Sequence, residues 1–429
     1  MNLEKKERIG GCCVCDLSDK KLQFKTVWIL CHYAQQPPYN TMLRYHNWGK
    51  QLVRRGCNVV IVAASTVHNT DIDVVDQLGK AESVCDGVHY LYVKVPKYSG
   101  NGLKRVVNML QYCVRLSKYS RYNPPPDAII VCEAYLFPFA KKAFCNIPII
   151  TDIVDLWPLS IVEYAGVSRY NPIIRLLYIL EKKAYLHSDA LIFSMEGGAD
   201  YLKDRKYGRK IDYRKVFHVN MGCDIEEFDA NKKIKEELPW ISGGFDIVYC
   251  GSIRKANNIQ QICDAGKELE KRKINDVTIH IYGNGSELDD LIQYLKANEI
   301  TNVKFYGRIE KAKIPYVLSN SKANILTYKQ VPLMKYGGSQ SKLFDYLASG
   351  RPIICNAMFG YNLITLYACG IITKNQTSKA FADAVEILYR MDQEELDAMG
   401  QSGRKVAESY DQPALVDKLC EAINYVVAT

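Results

Sequence analysis

At 429 residues the chain is longer than one hydrophobic core usually organises and suits two domains of about 200 residues each. Its 48% hydrophobic and 24% charged content is that of a soluble globular protein, and no apolar run reaches the ~20 residues that span a bilayer. The formal charge of +9 fits an anionic substrate or membrane surface. Nucleic acid is not expected, because the sequence has no block of five like charges and no zinc-finger or RNA-binding signature.

The first 23 residues form a polar lead-in without the apolar stretch of a secretory signal, so a cytoplasmic location is expected. Most of the 15 cysteines fit that reading. Cys31, Cys57, Cys132, Cys250 and Cys355 sit inside apolar segments, where a reduced thiol acts as a small hydrophobe. Cys12, Cys13 and Cys15 form the only tight cluster and lack a second Cys or His pair at metal-binding spacing, so no metal is expected.

Lys25–Tyr33 reads as a buried strand, Met42–Gly56 as a helix and Val59–Ala64 as a second strand. Such a βαβ unit predicts a parallel sheet, with ligands beyond the carboxyl ends of its strands. Arg44 and His46 lie at the helix start, and His68 closes the second loop. Lys97–Tyr122 mixes Lys104, Arg105, Arg115, Lys118 and Arg121 with Val106, Val107, Met109, Leu110, Val114 and Leu116. It reads either as a packed helix with a solvated face or as a helix that docks on anionic lipid.

After the breaker Asn123-Pro-Pro-Pro-Asp127, strands follow at Ala128–Cys132 and Ile147–Ile153, and then Asp155-Leu156-Trp157-Pro158. A carboxylate just past a strand is a candidate site residue, although Asp also begins ordinary turns. A helix at Asn171–Leu186 and strands at Ser188–Ser194 and Val216–Val219 complete this half. Asp229–Gly244 is the linker.

The second half opens with strand Phe245–Cys250 and the turn Gly251-Ser252-Ile253-Arg254-Lys255 ahead of a helix, a pattern suited to cradling phosphate. Strand Val277–Tyr282 runs into Gly283-Asn284-Gly285, and Val303–Gly307 into Arg308. Ala323–Leu326 leads towards Tyr336–Asn356. In that last stretch Gly337-Gly338-Ser339 precedes an amphipathic helix that begins near Ser341 and stops at Gly350. Unpaired N–H groups and the helix dipole suit a diphosphate there. Lys342 can add a full charge, and Asp345 can accept from ribose hydroxyls.

SKLFDYLASGRPII resembles the donor-nucleotide segment of GT-B glycosyltransferases of family 4, in particular a bacterial O-antigen and capsule aminosugar transferase subgroup. The likeness extends over HYAQQPPYNTMLRYHNWGKQLVRRGCNVVIVAAS, the run Tyr98, Gly100, Asn101, Gly102 and Arg105, the Asp155-Leu156-Trp157-Pro158 segment, and Pro413–Val427. The chain departs from the family pattern at several places. Gly337 stands where most members have the first of two Glu, with Asp345 at the second. Ser252 and Asn257 replace the usual phosphate-binding Arg and Lys, and Val154 replaces an Arg.

The resemblance implies an α/β chain of two Rossmann-like doubly wound domains facing a cleft. Residues 1–235 would bind acceptor, 236–412 the nucleotide sugar, and 413–429 would cross back as a helix. It implies a retaining glycosyltransferase without cofactor or metal, moving a sugar (UDP-linked, of the N-acetylated aminosugar kind) to a polyprenyl-diphosphate-linked saccharide at an anionic inner membrane face.

The implied donor residues are Gly251, Ser252, Arg254, Lys255, Gly283, Gly285, Arg308, Gly337, Gly338, Ser339, Ser341, Lys342 and Asp345. Arg254, Lys342 and Asp155 carry the chemistry, and Arg44, His68, Arg105, Asp155 and Trp157 meet the acceptor. A non-catalytic partner protein and a nucleotide-sugar 2-epimerase are the alternatives.

Overall fold

The structure is a computed structural model that describes residues 22–40, 43–68, 70–98, 100, 102–235, 237–240 and 244–428. The Cys12–Cys15 cluster and Asn101 lie outside the described residues. Two sheets organise the chain. The first contains β1 (Thr26–Leu30), β2 (Asn58–Ala64), β3 (Glu82–Cys85), β4 (Val88–Val93), β5 (Ala128–Cys132), β6 (Ile149–Ile153), β7 (Ala190–Phe193) and β8 (Val216–His218), in the order β3-β4-β2-β1-β5-β6-β7-β8. The second contains β9 (Phe245–Cys250), β10 (Val277–Tyr282), β11 (Val303–Gly307), β12 (Ala323–Leu326), β13 (Ile353–Cys355) and β14 (Gly370–Ile372), in the order β11-β10-β9-β12-β13-β14.

All pairs are parallel except β3 with β4. The central strands are buried along their whole length because helices cover both faces, which is why they read as continuous apolar runs. Strand order reverses at β1 in the first sheet and at β9 in the second, and such switch points open crevices at the carboxyl ends. Those ends face one another. Ser194, just past β7, meets Ser339 Oγ to Oγ at 2.6 Å, and Tyr336 of the second lobe is buried in the first lobe's core against Tyr201. The helix Gln412–Val427 leaves the second lobe and packs on β5–β8 and on the helix Arg44–Arg54.

The hairpin β3–β4 turns through Asp86-Gly87, both at positive φ. Asp-Gly between two strand-forming runs is the usual sequence cue for such a turn.

Arg44 corrects one expectation. It is not an acceptor contact, because its guanidinium is buried and its donors are used internally. Nε and Nη2 reach the Asp152 carboxylate at 3.0 Å each, and Nη1 and Nη2 donate to Asn220 O and Val219 O at 2.7 and 2.8 Å. The group also stacks on Trp48 at 4.1 Å. It ties the first helix to β6 and to the loop after β8. Removing one partner of a buried pair leaves the other charge uncompensated. Arg44→Met is therefore expected to lower first-lobe stability by about 3–5 kcal/mol, read as a drop in the urea midpoint.

Candidate active site in the cleft

The turn after β9 and the helix Ser341–Ala348 converge. Gly251 lies so close to Lys342 that a Cβ there would sit 2.7 Å from Nζ. Nζ donates to the Tyr249 hydroxyl at 3.1 Å and lies over the Tyr249 and Tyr328 rings at 4.8 and 5.1 Å. Burial pulls the Lys342 ammonium down to about 8, and among the described residues no carboxylate forms an ion pair with it. The N-cap residue of this helix, Gln340, makes no side-chain capping bond, so the first-turn N–H groups lack that cap. A cation and a helix N-terminus at a sheet's switch point suit an anion.

Ser252 does not point outward as a free hydroxyl. Its Oγ and its carbonyl both accept from Asn257 Nδ2, at 2.8 and 2.5 Å, so the two residues that replace the usual Arg and Lys brace the turn. Gly283 and Gly285 have a packing reason. A Cβ on Gly283 would lie 1.7 Å from Gly251 O, and one on Gly285 2.0 Å from Ile253 O. These glycines let the β10 loop lie flat on the β9 turn. Lys255 is exposed in the short turn Lys255–Asn257, and Ser341 is exposed as the first helical residue. Arg308 is exposed past the edge strand β11, two strands away from β9.

Asp345, one turn into the helix, accepts from Cys223 Sγ of the first lobe at 3.5 Å, and burial raises its carboxyl to about 6.

Across the cleft, Arg105 donates to the Tyr33 hydroxyl at 3.1 and 3.0 Å, and His68 Nδ1 meets the Tyr98 hydroxyl at 2.7 Å. The His68 ring packs edge-on against Tyr33. Burial depresses the His68 pKa, and the charges of Arg105 and Arg254 depress it further. Arg254 of the second lobe therefore lies within electrostatic reach of this first-lobe group.

Asp155 accepts from Ser160 Oγ at 3.0 Å and lies with Trp157 in a small pocket past β5 and β6. It is open to solvent but ringed by protein, and this partial desolvation raises its carboxyl.

Two carboxylates that the sequence reading did not select belong here. Glu133 follows β5 with φ +90° and lines the Asp155 pocket; burial, then the Asp155 and Asp152 charges, raise it to about 7. Glu196 follows β7. Asn220 Nδ2 donates to its Oε1 at 2.8 Å, its Oε2 faces Gly337, and burial raises it to about 7. Position was the available signal, since each Glu stands within three residues of a strand's carboxyl end.

Residues 230–406 match the family model described as glycosyl transferases group 1. That span holds β9 to β14 with the anion site. The second lobe is a glycosyl transferases group 1 domain. The chain therefore carries a glycosyltransferase domain as its second lobe, and its two-sheet architecture is the GT-B fold.

No protein of curated function matches the sequence significantly. Among solved structures, sucrose-phosphate synthase from Thermosynechococcus elongatus aligns over 92% of this chain and 98% of its own, at 13% identity and TM-score 0.71. Anabaena Alr3699/HepE, solved in complex with UDP and glucose, aligns over the same shares at 13% and 0.64. WaaG, a glycosyltransferase involved in lipopolysaccharide biosynthesis, aligns over 92% and 99% at 13% and 0.63.

The protonated Lys342 favours an anion, and it loses its proton as pH rises through about 8. Inorganic diphosphate binding, followed by calorimetry, is expected to weaken above that pH. Lys342→Met is expected to bind more weakly at pH 7 and to lose the alkaline decline.

Proposed function

We propose that the protein is a retaining transferase that moves a sugar from a UDP-linked donor, of the N-acetylated aminosugar kind, to a polyprenyl-diphosphate-linked saccharide. The observation that carries the donor half is the meeting of Lys342 with Gly251 at the start of an uncapped helix. In the transfer, the bond between the anomeric carbon and the diphosphate oxygen breaks, and an acceptor oxygen forms the new bond to that carbon. The acceptor proton passes to Asp155, and the nucleoside diphosphate leaves with its charge offset by Lys342, Arg254 and helix N–H groups. These groups supply the electrostatic work without a metal ion, so chelator is expected to leave the rate unchanged.

The acceptor half rests on the surface of the first lobe. The helix Leu103–Arg115 exposes Leu103, Val107, Leu110 and Val114, with Lys104, Lys118 and Arg121 beside them. The helix Pro172–His187 exposes Ile173, Leu176 and Ile179, with Arg175, Lys182 and Lys183. Both pack on the helix Phe137–Ala143, so they share one side of the first sheet. Apolar side chains ringed by cations suit an anionic bilayer interface. Among the described residues no helix is long and apolar enough to cross a membrane, so contact of this kind would be peripheral.

UDP is expected to raise the melting temperature more than GDP or ADP does; a response to GDP or ADP alone would overturn the donor assignment. Asp155→Asn is expected to lower kcat by about 10²-fold or more with little change in donor KM. Co-sedimentation with phosphatidylglycerol vesicles is expected to exceed that with phosphatidylcholine, and Leu110→Asp with Ile179→Asp to abolish the difference.

A further inference from the structure

The loop after β7 reaches into the second lobe. Gly197 N donates to Tyr336 O at 2.9 Å, and Ser194 meets Ser339. Between these contacts Glu196 borders a cavity with Asn220, Gly338, Gln340, Phe359 and Tyr361. Asn220 fixes Oε1 at 2.8 Å, and the Gly338 N–H also favours the charged carboxylate.

Oε2 occupies the space a side chain at Gly337 would need, 2.6 Å from where its Cβ would lie. Gly337 sits at φ +96°, which disfavours any other residue, so the second lobe cannot supply its own side chain at this point. The cavity therefore combines a fixed carboxylate, the side-chain amides of Asn220, Gln340 and Asn362, a backbone N–H and two aromatic rings. A carboxylate repels phosphate, so this end of the cleft does not suit the diphosphate, which belongs at Lys342. Hydroxyl donors over an aromatic wall are the matching ligand chemistry.

We propose that this inter-lobe cavity receives the transferred sugar ring, with Glu196 accepting a hydrogen bond from one of its hydroxyls. The assignment rests on the nucleotide-sugar reading above and gives it a residue from the opposite lobe. Sugar recognition then requires both lobes, because the carboxylate arrives only when the β7 loop is seated on Tyr336.

The test titrates UDP, UDP-glucose, UDP-galactose and UDP-N-acetylglucosamine into the wild type, Glu196→Ala, Glu196→Gln and Tyr361→Ala. Tyr361 is 51% exposed at the cavity rim, so its truncation does not threaten folding. At least one sugar is expected to bind the wild type differently from UDP. All three variants are expected to bind UDP within threefold of wild type, and to lose tenfold or more in affinity or turnover for that sugar nucleotide. Unchanged binding and turnover of the sugar nucleotide in Glu196→Gln and Glu196→Ala would overturn the inference. So would an equal loss of UDP itself, which would make Glu196 a strap between lobes. A wild type that discriminates no sugar from UDP would also overturn it. A wild type that binds none of the four would instead remove the donor reading, and this inference with it.

Discussion

The contact on which the cleft depends is between two backbones. The loop after β7 lies against the loop Val331–Ser339, with Gly197 N bonded to Tyr336 O. A Cβ on Gly197 would sit 2.6 Å from that same oxygen, so only glycine allows the approach. Neighbouring contacts reinforce the seat. The Tyr336 hydroxyl and Lys335 both reach Asp204 at 2.7 Å, and Leu333 N donates to Glu163 at 2.6 Å. Burying Tyr336 in the first lobe's core fixes the three residues that follow it. These lead directly into the helix Ser341–Ala348, so one docked side chain sets where a helix N-terminus points.

That arrangement separates charge along the cleft. Lys342, the uncapped helix turn and nearby Arg254 make one end positive, while Glu196, held by Asn220, makes the other negative. A nucleotide sugar has the complementary order, with an anionic diphosphate followed by a neutral polyhydroxylated ring. The weakly solvated groups also have shifted protonation. The Lys342 ammonium is held near 8, and the Glu133 and Glu196 carboxyls near 7, because the cleft walls remove water from around them. In the proposed transfer, little reorganisation is then needed as charge moves onto the departing phosphate.

The fold was legible because its signals are local. Apolar runs such as those at β1, β5 and β9 need only burial on both faces, and Gly350 followed by Pro352 marks an abrupt change from helix to strand. The glycine loop and Lys342 stand together in one contiguous segment, but the loop was expected to cradle phosphate, and instead Gly337 N donates to Met334 O while the Gly338 N–H favours the Glu196 carboxylate. Contacts across the lobes were not. Arg44 looks like a surface residue until Asp152, 108 positions away, is seen to hold it. Glu196 has meaning only once Gly337 is placed against it. Ser252 and Asn257 read as losses of charge in sequence, and in three dimensions they stiffen the phosphate turn through a side-chain bond.

The most direct measurement is a crystal structure of the protein soaked with uridine diphosphate. The account expects the two phosphates between the Gly251 turn and the first turn of the helix Ser341–Ala348, with Lys342 Nζ turned from the Tyr249 hydroxyl onto a phosphate oxygen. Lys342 still bonded to Tyr249, with the nucleotide absent or bound elsewhere, would contradict it.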